Sequence, residues 1–161
     1  MIYRALGALS SEQGLDIVFA EFHENAGLWT FELKVSDSYA DTSSSIKEFI
    51  DNNKLDYKVA LITVHNETSN NELNGASIAA STGLPVITDL AAIDKSLGGN
   101  GEFYQTCFQK IGINEKSRLN KAICVAFMGI LRWREEYNFL SSVTGASRSS
   151  IGGAIWLGQE G

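Results

Sequence analysis

Apolar and polar positions along the chain fall into two regimes. From Ile2 to Val35 the hydrophobic residues come in runs of strand length, Ile2–Leu9, Leu15–Phe22 and Trp29–Val35, separated by the polar turns Ser10-Ser11-Glu12-Gln13-Gly14 and Glu24-Asn25-Ala26-Gly27. In the third run Phe31, Leu33 and Val35 alternate with Thr30, Glu32 and Lys34, which predicts a strand with one buried and one wet face. Three such runs with short connections predict an antiparallel meander.

Beyond residue 40 the period lengthens. Ile46, Phe49 and Ile50 sit at i, i+3, i+4 behind the capping candidates Asp41 to Ser45, so a short helix is expected to about Asn53. Lys58–Val64 is almost continuously apolar, as in a strand covered on both faces. A helix over roughly Asn74–Thr82, stopped by Gly83, leads to the strand Pro85–Thr88. From Asn114 onward Leu119, Ile123, Phe127 and Ile130 recur at helical spacing, and Ala154–Leu157 reads as a short final strand or buried segment. With right-handed crossovers the fourth strand lies beside the first. The expected architecture is an α/β mixed five-stranded sheet in the order 3-2-1-4-5 with helices on both faces. That is the ribonuclease H-like fold, here as one domain over residues 1–161.

Charge narrows the classes. Residues 1–80 carry 5 basic and 12 acidic side chains (−7) and residues 81–161 carry 8 and 7 (+1), for a net −6. An acidic balance disfavours nucleic acid, whose phosphates call for basic patches. The longest apolar stretch, Ala122–Leu131, is half the ~20 residues needed to span a bilayer, so it predicts a buried helix and no membrane partner. No signal-peptide pattern opens the sequence, and Cys107 and Cys124 lack metal-site spacing; a cytoplasmic chain with two reduced core cysteines is expected.

Several runs also carry a resemblance. Tyr3–Gly7, Gly14–Phe22, Gly75–Leu90, Leu97–Gly101, Ser142–Ser147 and Gly152–Gly158 resemble the anhydro-N-acetylmuramic acid kinase family, whose members use ATP to open and phosphorylate an anhydro-sugar. The resemblance implies a strongly shortened member: the segment after Gly101 jumps to what looks like the family's last helix, so the second lobe and its catalytic base are missing. The phosphate loop is reduced to Ala8–Gln13, where Glu12 would repel a phosphate. The expectation is a single-domain derivative, engineered or naturally reduced, without activity and needing no cofactor. Its alternative is a residual kinase using ATP and Mg²⁺ on an anhydro-sugar. Surface uncovered by a lost lobe makes a homodimer possible.

The candidate site residues follow from both lines of reading. Asp16, beginning the second strand, and Asp89, ending the fifth, could share a divalent ion, although Asp89 also reads as a helix cap. His65 ends the fourth strand, where open α/β sheets place ligands. Gly98, Gly99 and Gly101 could let the backbone approach a phosphate, and Gly145 belongs to a retained Thr-Gly-Ala-Ser turn near the nucleotide side; both roles are implied by the resemblance. A nuclease reading rests on Asp16, Glu48 and Asp89, and is weakened by a first strand without any carboxylate.

Overall fold

The computed structural model describes residues 1–40, 42–67, 73–142 and 154–156. It opens on the meander β1 (Ile2–Ser11), β2 (Gly14–Asn25) and β3 (Leu28–Tyr39), each strand antiparallel to the next. The second hairpin closes over two residues, Ala26 (φ 54°) and Gly27 (φ 84°), both in the left-handed region that a tight hairpin of matching twist requires.

The alternation in the third strand is interrupted. Phe19 pairs with Val35 but Ala20 pairs with Leu33, so Lys34 is an extra residue on β3. This bulge turns the strand over. Phe31 and Leu33 pack on one face of the sheet and Val35 on the other, rather than all three sharing one buried face.

The parallel half follows as α1 (Ser44–Asn52), β4 (Leu61–Asn66), α2 (Gly75–Thr82) and β5 (Val86–Thr88). The Asn74 side chain caps α2 by accepting from the Ser77 N–H (3.0 Å), and Gly83 (φ 72°) ends it. The Asn74 N–H in turn donates to Ser43 Oγ (3.1 Å), tying the start of α2 to the start of α1. Both helices lie on one face, where Ile46, Phe49 and Ile78 meet Leu6, Ile17 and Ile62.

The opposite face carries α3 (Leu90–Ser96), α4 (Phe103–Ile111) and α5 (Arg118–Ser142), with Phe22, Phe103, Cys107, Ala126 and Phe127 in its core. Helix α5 lies against β1, β2 and β4 at very short range, and two glycines permit it. A Cβ on Gly7 of β1 would stand 2.4 Å from the Ala122 carbonyl oxygen, and one on Gly129 of α5 would overlap the Thr63 hydroxyl. A last strand β6 (Ala154–Trp156) pairs antiparallel with β5, so the sheet has six strands in the order β3-β2-β1-β4-β5-β6. Among the described residues no helix is long and apolar enough to cross a membrane.

Candidate functional site

The sheet itself decides where a cleft can open. At its carboxyl end β1 leaves by a hairpin towards β2, whereas β4 leaves through α2 towards β5 in the opposite direction. Divergent exits from neighbouring parallel strands leave a crevice between them, the usual ligand position in open α/β sheets. Here the crevice is a cleft of about 650 Å³ lined by Ser11, Glu12 and Gln13 on one side and His65, Asn66 and Glu67 on the other. A hydrogen bond from the Glu67 N–H to the Ser10 carbonyl (2.8 Å) carries the β1–β4 pairing into its floor.

Behind this wall α4 and α5 supply a polar network. The Tyr104 hydroxyl donates to Glu67 Oε2 (3.2 Å), and Lys121 Nζ lies 3.3 Å from the same oxygen and 5.3 Å from the Tyr104 ring centroid. The His65 imidazole stands edge-on to Phe103 and Tyr104, with centroids 4.8 and 5.9 Å away. Burial holds the His65 pKa below its ordinary value; Glu67 pulls it up and Lys121 presses it further down. Burial, reinforced by the Glu67 charge and hydrogen bond, raises that of Tyr104. The cleft therefore presents an imidazole held in its neutral form by burial, beside the side-chain amides of Gln13 and Asn66, the Ser11 hydroxyl and the carboxyl groups of Glu12 and Glu67. Glu67 is held by Lys121, while Glu12 has no ion-pair partner among the described residues.

Of the candidate site residues, His65 alone lines this cleft, opposite Glu12 and the end of the shortened loop. Asp16 faces the helix layer on the other side of β1: Arg118 Nη2, at the start of α5, is 2.5 Å from its Oδ2, and Ser38 Oγ donates to its Oδ1 (2.8 Å). Asp16 thus docks the first turn of α5. Asp89 lies beyond the far strand. Asp16 pairs with Leu9, Leu9 with His65, and β5 is the next strand over, so three strand spacings of ~4.8 Å, roughly 14 Å, separate the two aspartates. One ion cannot be shared across that distance. Nor does the Asp89 carboxylate cap α3, since the residue is at φ 64° without a side-chain cap bond. Glu48 is exposed on α1, on the opposite face from Asp16, so the three acids of the nuclease reading do not converge.

The glycine cluster has an internal anion. The loop folds back over the buried Asp94 carboxylate, which accepts from the Gly101 N–H (2.9 Å), and the Gly99 N–H donates to the Asp94 carbonyl (2.8 Å). A Cβ on Gly99 would lie 2.1 Å from Asp94 Oδ2. Gly98 (φ 97°) and Gly101 (φ 98°) make the turn that brings these groups together. The N–H group that a phosphate would need at Gly101 is already bonded to Asp94. Gly145 lies outside the described residues.

Comparison with known proteins separates fold from ancestry. No family model matches the sequence, and no curated protein matches it. Among solved structures, RuvC of Thermus thermophilus superposes with a TM-score of 0.58 over 84% of this chain and 97% of that one, at 14% sequence identity. The fold is ribonuclease H-like. At that identity the likeness extends to the fold alone, and it corrects the resemblance to the anhydro-N-acetylmuramic acid kinases, which neither the family models nor the curated proteins support. In the described parts of the runs that carried the resemblance, several residues are ones this architecture requires for itself: Gly7 under α5, Gly14, Gly83, Gly98 and Gly101 at positive φ, and the apolar strand interiors.

The network of Glu67, Tyr104 and Lys121 was not singled out in the sequence. These residues lie 37 and 54 positions apart, and Tyr104 and Lys121 sit on helical segments where an aromatic or a lysine carries no local signal.

Proposed function

We propose that this chain is a non-catalytic binding domain whose cleft at the carboxyl ends of β1 and β4 receives a small, neutral or cationic, hydroxyl-rich molecule. One observation carries the reading: among the described residues no two free carboxylates converge on the cleft. Glu67 is held by Tyr104 and Lys121, Asp16 by Arg118, and Asp89 is three strands away from Asp16. Two-metal phosphoryl chemistry needs several carboxylates converging on two ions held ~4 Å apart. What remains is a recognition surface. Ser11, Gln13 and Asn66 offer both donors and acceptors, neutral His65 offers one of each, and unpaired Glu12 favours a hydroxyl or ammonium donor over a phosphate.

No cofactor is required under this reading, and the two free, buried cysteines support a cytoplasmic setting. Calorimetric titration with glucosamine, N-acetylglucosamine and ATP·Mg²⁺, beside turnover assays on ATP and on a short DNA duplex with Mn²⁺, tests it. Expected is saturable heat with the amino sugar, weakened about tenfold by Glu12→Gln, and no product from either phosphate substrate. Product formed in proportion to protein and lost on His65→Ala would overturn the reading in favour of an enzyme.

A further inference from the structure

At the opposite end of β1, seven residues or roughly 23 Å from Ser11 at ~3.3 Å per residue, a second pocket opens on the α1 side of the sheet. It holds about 410 Å³, within the ~300–1,000 Å³ typical of small-molecule sites. Its floor is apolar, formed by Phe19, Val35 and Leu55, and its walls carry Arg4, Lys34 and Lys58 around the single carboxylate of Glu21.

The bulge described above brings Val35 to this side, beside Lys34, which alternation with Leu33 already places there. Glu21 takes the Arg4 Nε–H (2.8 Å) and lies 3.8 Å from Lys34 Nζ, and Lys34 is also 3.0 Å from Glu32 behind it. Two cations are thus balanced by two carboxylates. Lys58 is exposed and has no ion-pair partner among the described residues, so in a chain of net charge −6 this pocket keeps a surplus positive charge.

The mouth is built by a turn with unusual backbone. After α1 the chain folds through Lys54 (φ 54°) and Tyr57 (φ 66°), neither a glycine, with the Leu55 N–H bonded to the Ile50 carbonyl (3.0 Å) and the Lys58 N–H to the Leu55 carbonyl (2.9 Å). A bulky residue at positive φ is a conformational outlier that costs free energy and persists only where the surroundings impose it. Leu55 is buried as the plug of this turn, while Tyr57, which also lines the pocket, is fully exposed.

We propose that this pocket binds a small aromatic anion, its acid group held by Lys58 with Arg4 and its ring laid on the apolar floor beneath Tyr57. An apolar bed with a few convergent charges fixes such a ligand by area and by orientation together. A bare anion lacks the area, and a neutral ring lacks the charge.

The test is a titration followed by NMR with phenyl phosphate and benzoate, and with inorganic phosphate and benzyl alcohol as the two halves of the ligand. Expected is saturable binding of phenyl phosphate, benzoate or both, at least tenfold tighter than either half, with shifts at Leu55, Tyr57 and Val35. Phenyl phosphate alone would identify a phosphate ester as the ligand chemistry, and benzoate alone a carboxylate. Lys58→Glu, at an exposed and unpaired position, should lower the affinity at least tenfold, and Tyr57→Ala severalfold, with circular dichroism unchanged. Absence of saturable binding to any aromatic anion, inorganic phosphate binding as tightly as phenyl phosphate, or an affinity indifferent to Lys58→Glu would overturn the proposal.

Discussion

At the scale of single residues the cleft makes a statement about pH. His65 is held neutral by burial among Phe103, Tyr104 and Lys121, with Glu67 opposing, so its pKa is lower in the folded chain than the ~6.5 of an unfolded one. For a base depressed on folding, stability is complete above the unfolded pKa. It is lost as pH falls below ~6.5 towards the folded value, because the unfolded chain takes up the proton first. Urea unfolding between pH 7.5 and 5 should show wild type losing stability where His65→Gln does not; parallel curves would mean that His65 titrates as in a free peptide. Asp16 gives a prediction of another kind. As the partner of Arg118 and Ser38 it anchors α5, and Asp16→Ala should cost about 1–2 kcal/mol, between an exposed and a buried ion pair, with no change in the affinity of the cleft. Loss of ligand binding without loss of stability would instead return Asp16 to the site.

At the scale of elements the close seating of α5 dominates. Ala on Gly129 must push against the Thr63 hydroxyl and Cβ as well as the end of Leu61, and Ala on Gly7 against the backbone of α5, which has no flexible end to move. Overpacking of this kind costs typically ~1–3 kcal/mol, and each kcal/mol lowers the melting temperature of a chain this size by about 2–4 °C. Gly129→Ala is expected to lower it by about 5 °C in a thermal melt, although alanine is the better helix former. An unchanged or higher melting point would show that α5 can slide. The same elements show what the sequence displayed and what it hid. Strand order, both helix layers and the Gly83 stop were legible because period and turn chemistry are local signals. The Lys34 bulge was not, since Phe31, Leu33 and Val35 keep perfect alternation in the sequence and only pairing with β2 shows the extra residue. Helix α4 was equally hidden, lying in a stretch of mixed pattern whose buried face, Phe103, Cys107, Phe108 and Ile111, makes sense only against α5. In the site, His65 was legible from its place at a strand end. The partner of the glycine cluster was hidden, because Asp94 is a buried carboxylate on the preceding helix α3.

At the scale of the whole molecule the open question is association. A homodimer was expected if an uncovered face left a continuous apolar patch. The large apolar side chains exposed among the described residues are Met1 and Ile2 at the start of β1, Leu28 at the start of β3, Tyr57 by the pocket, Leu97 after α3 and Leu119 on α5. Met1, Ile2 and Leu28 meet at one end of the meander and the other three stand apart, so among the described residues the exposed large side chains form one small group rather than the broad contiguous patch that stable association needs. The free edge of β3 is guarded too. It bears Glu32 and Lys34, and the bulge at Lys34 breaks the even run of N–H and C=O groups that edge-to-edge pairing would use. A net charge of −6 adds mutual repulsion between copies, and that repulsion is screened by salt. Sedimentation velocity should therefore give one monomer boundary up to high micromolar concentration at low salt. Removing the guard should change this. Replacing Glu32 and Lys34 together with Thr and Val leaves an uncharged β-prone edge, and concentration-dependent sedimentation should appear, first at high salt. If wild type already sediments as a dimer and the double variant does so no more strongly, the contact lies away from β3, and the edge is not what sets the state of the molecule.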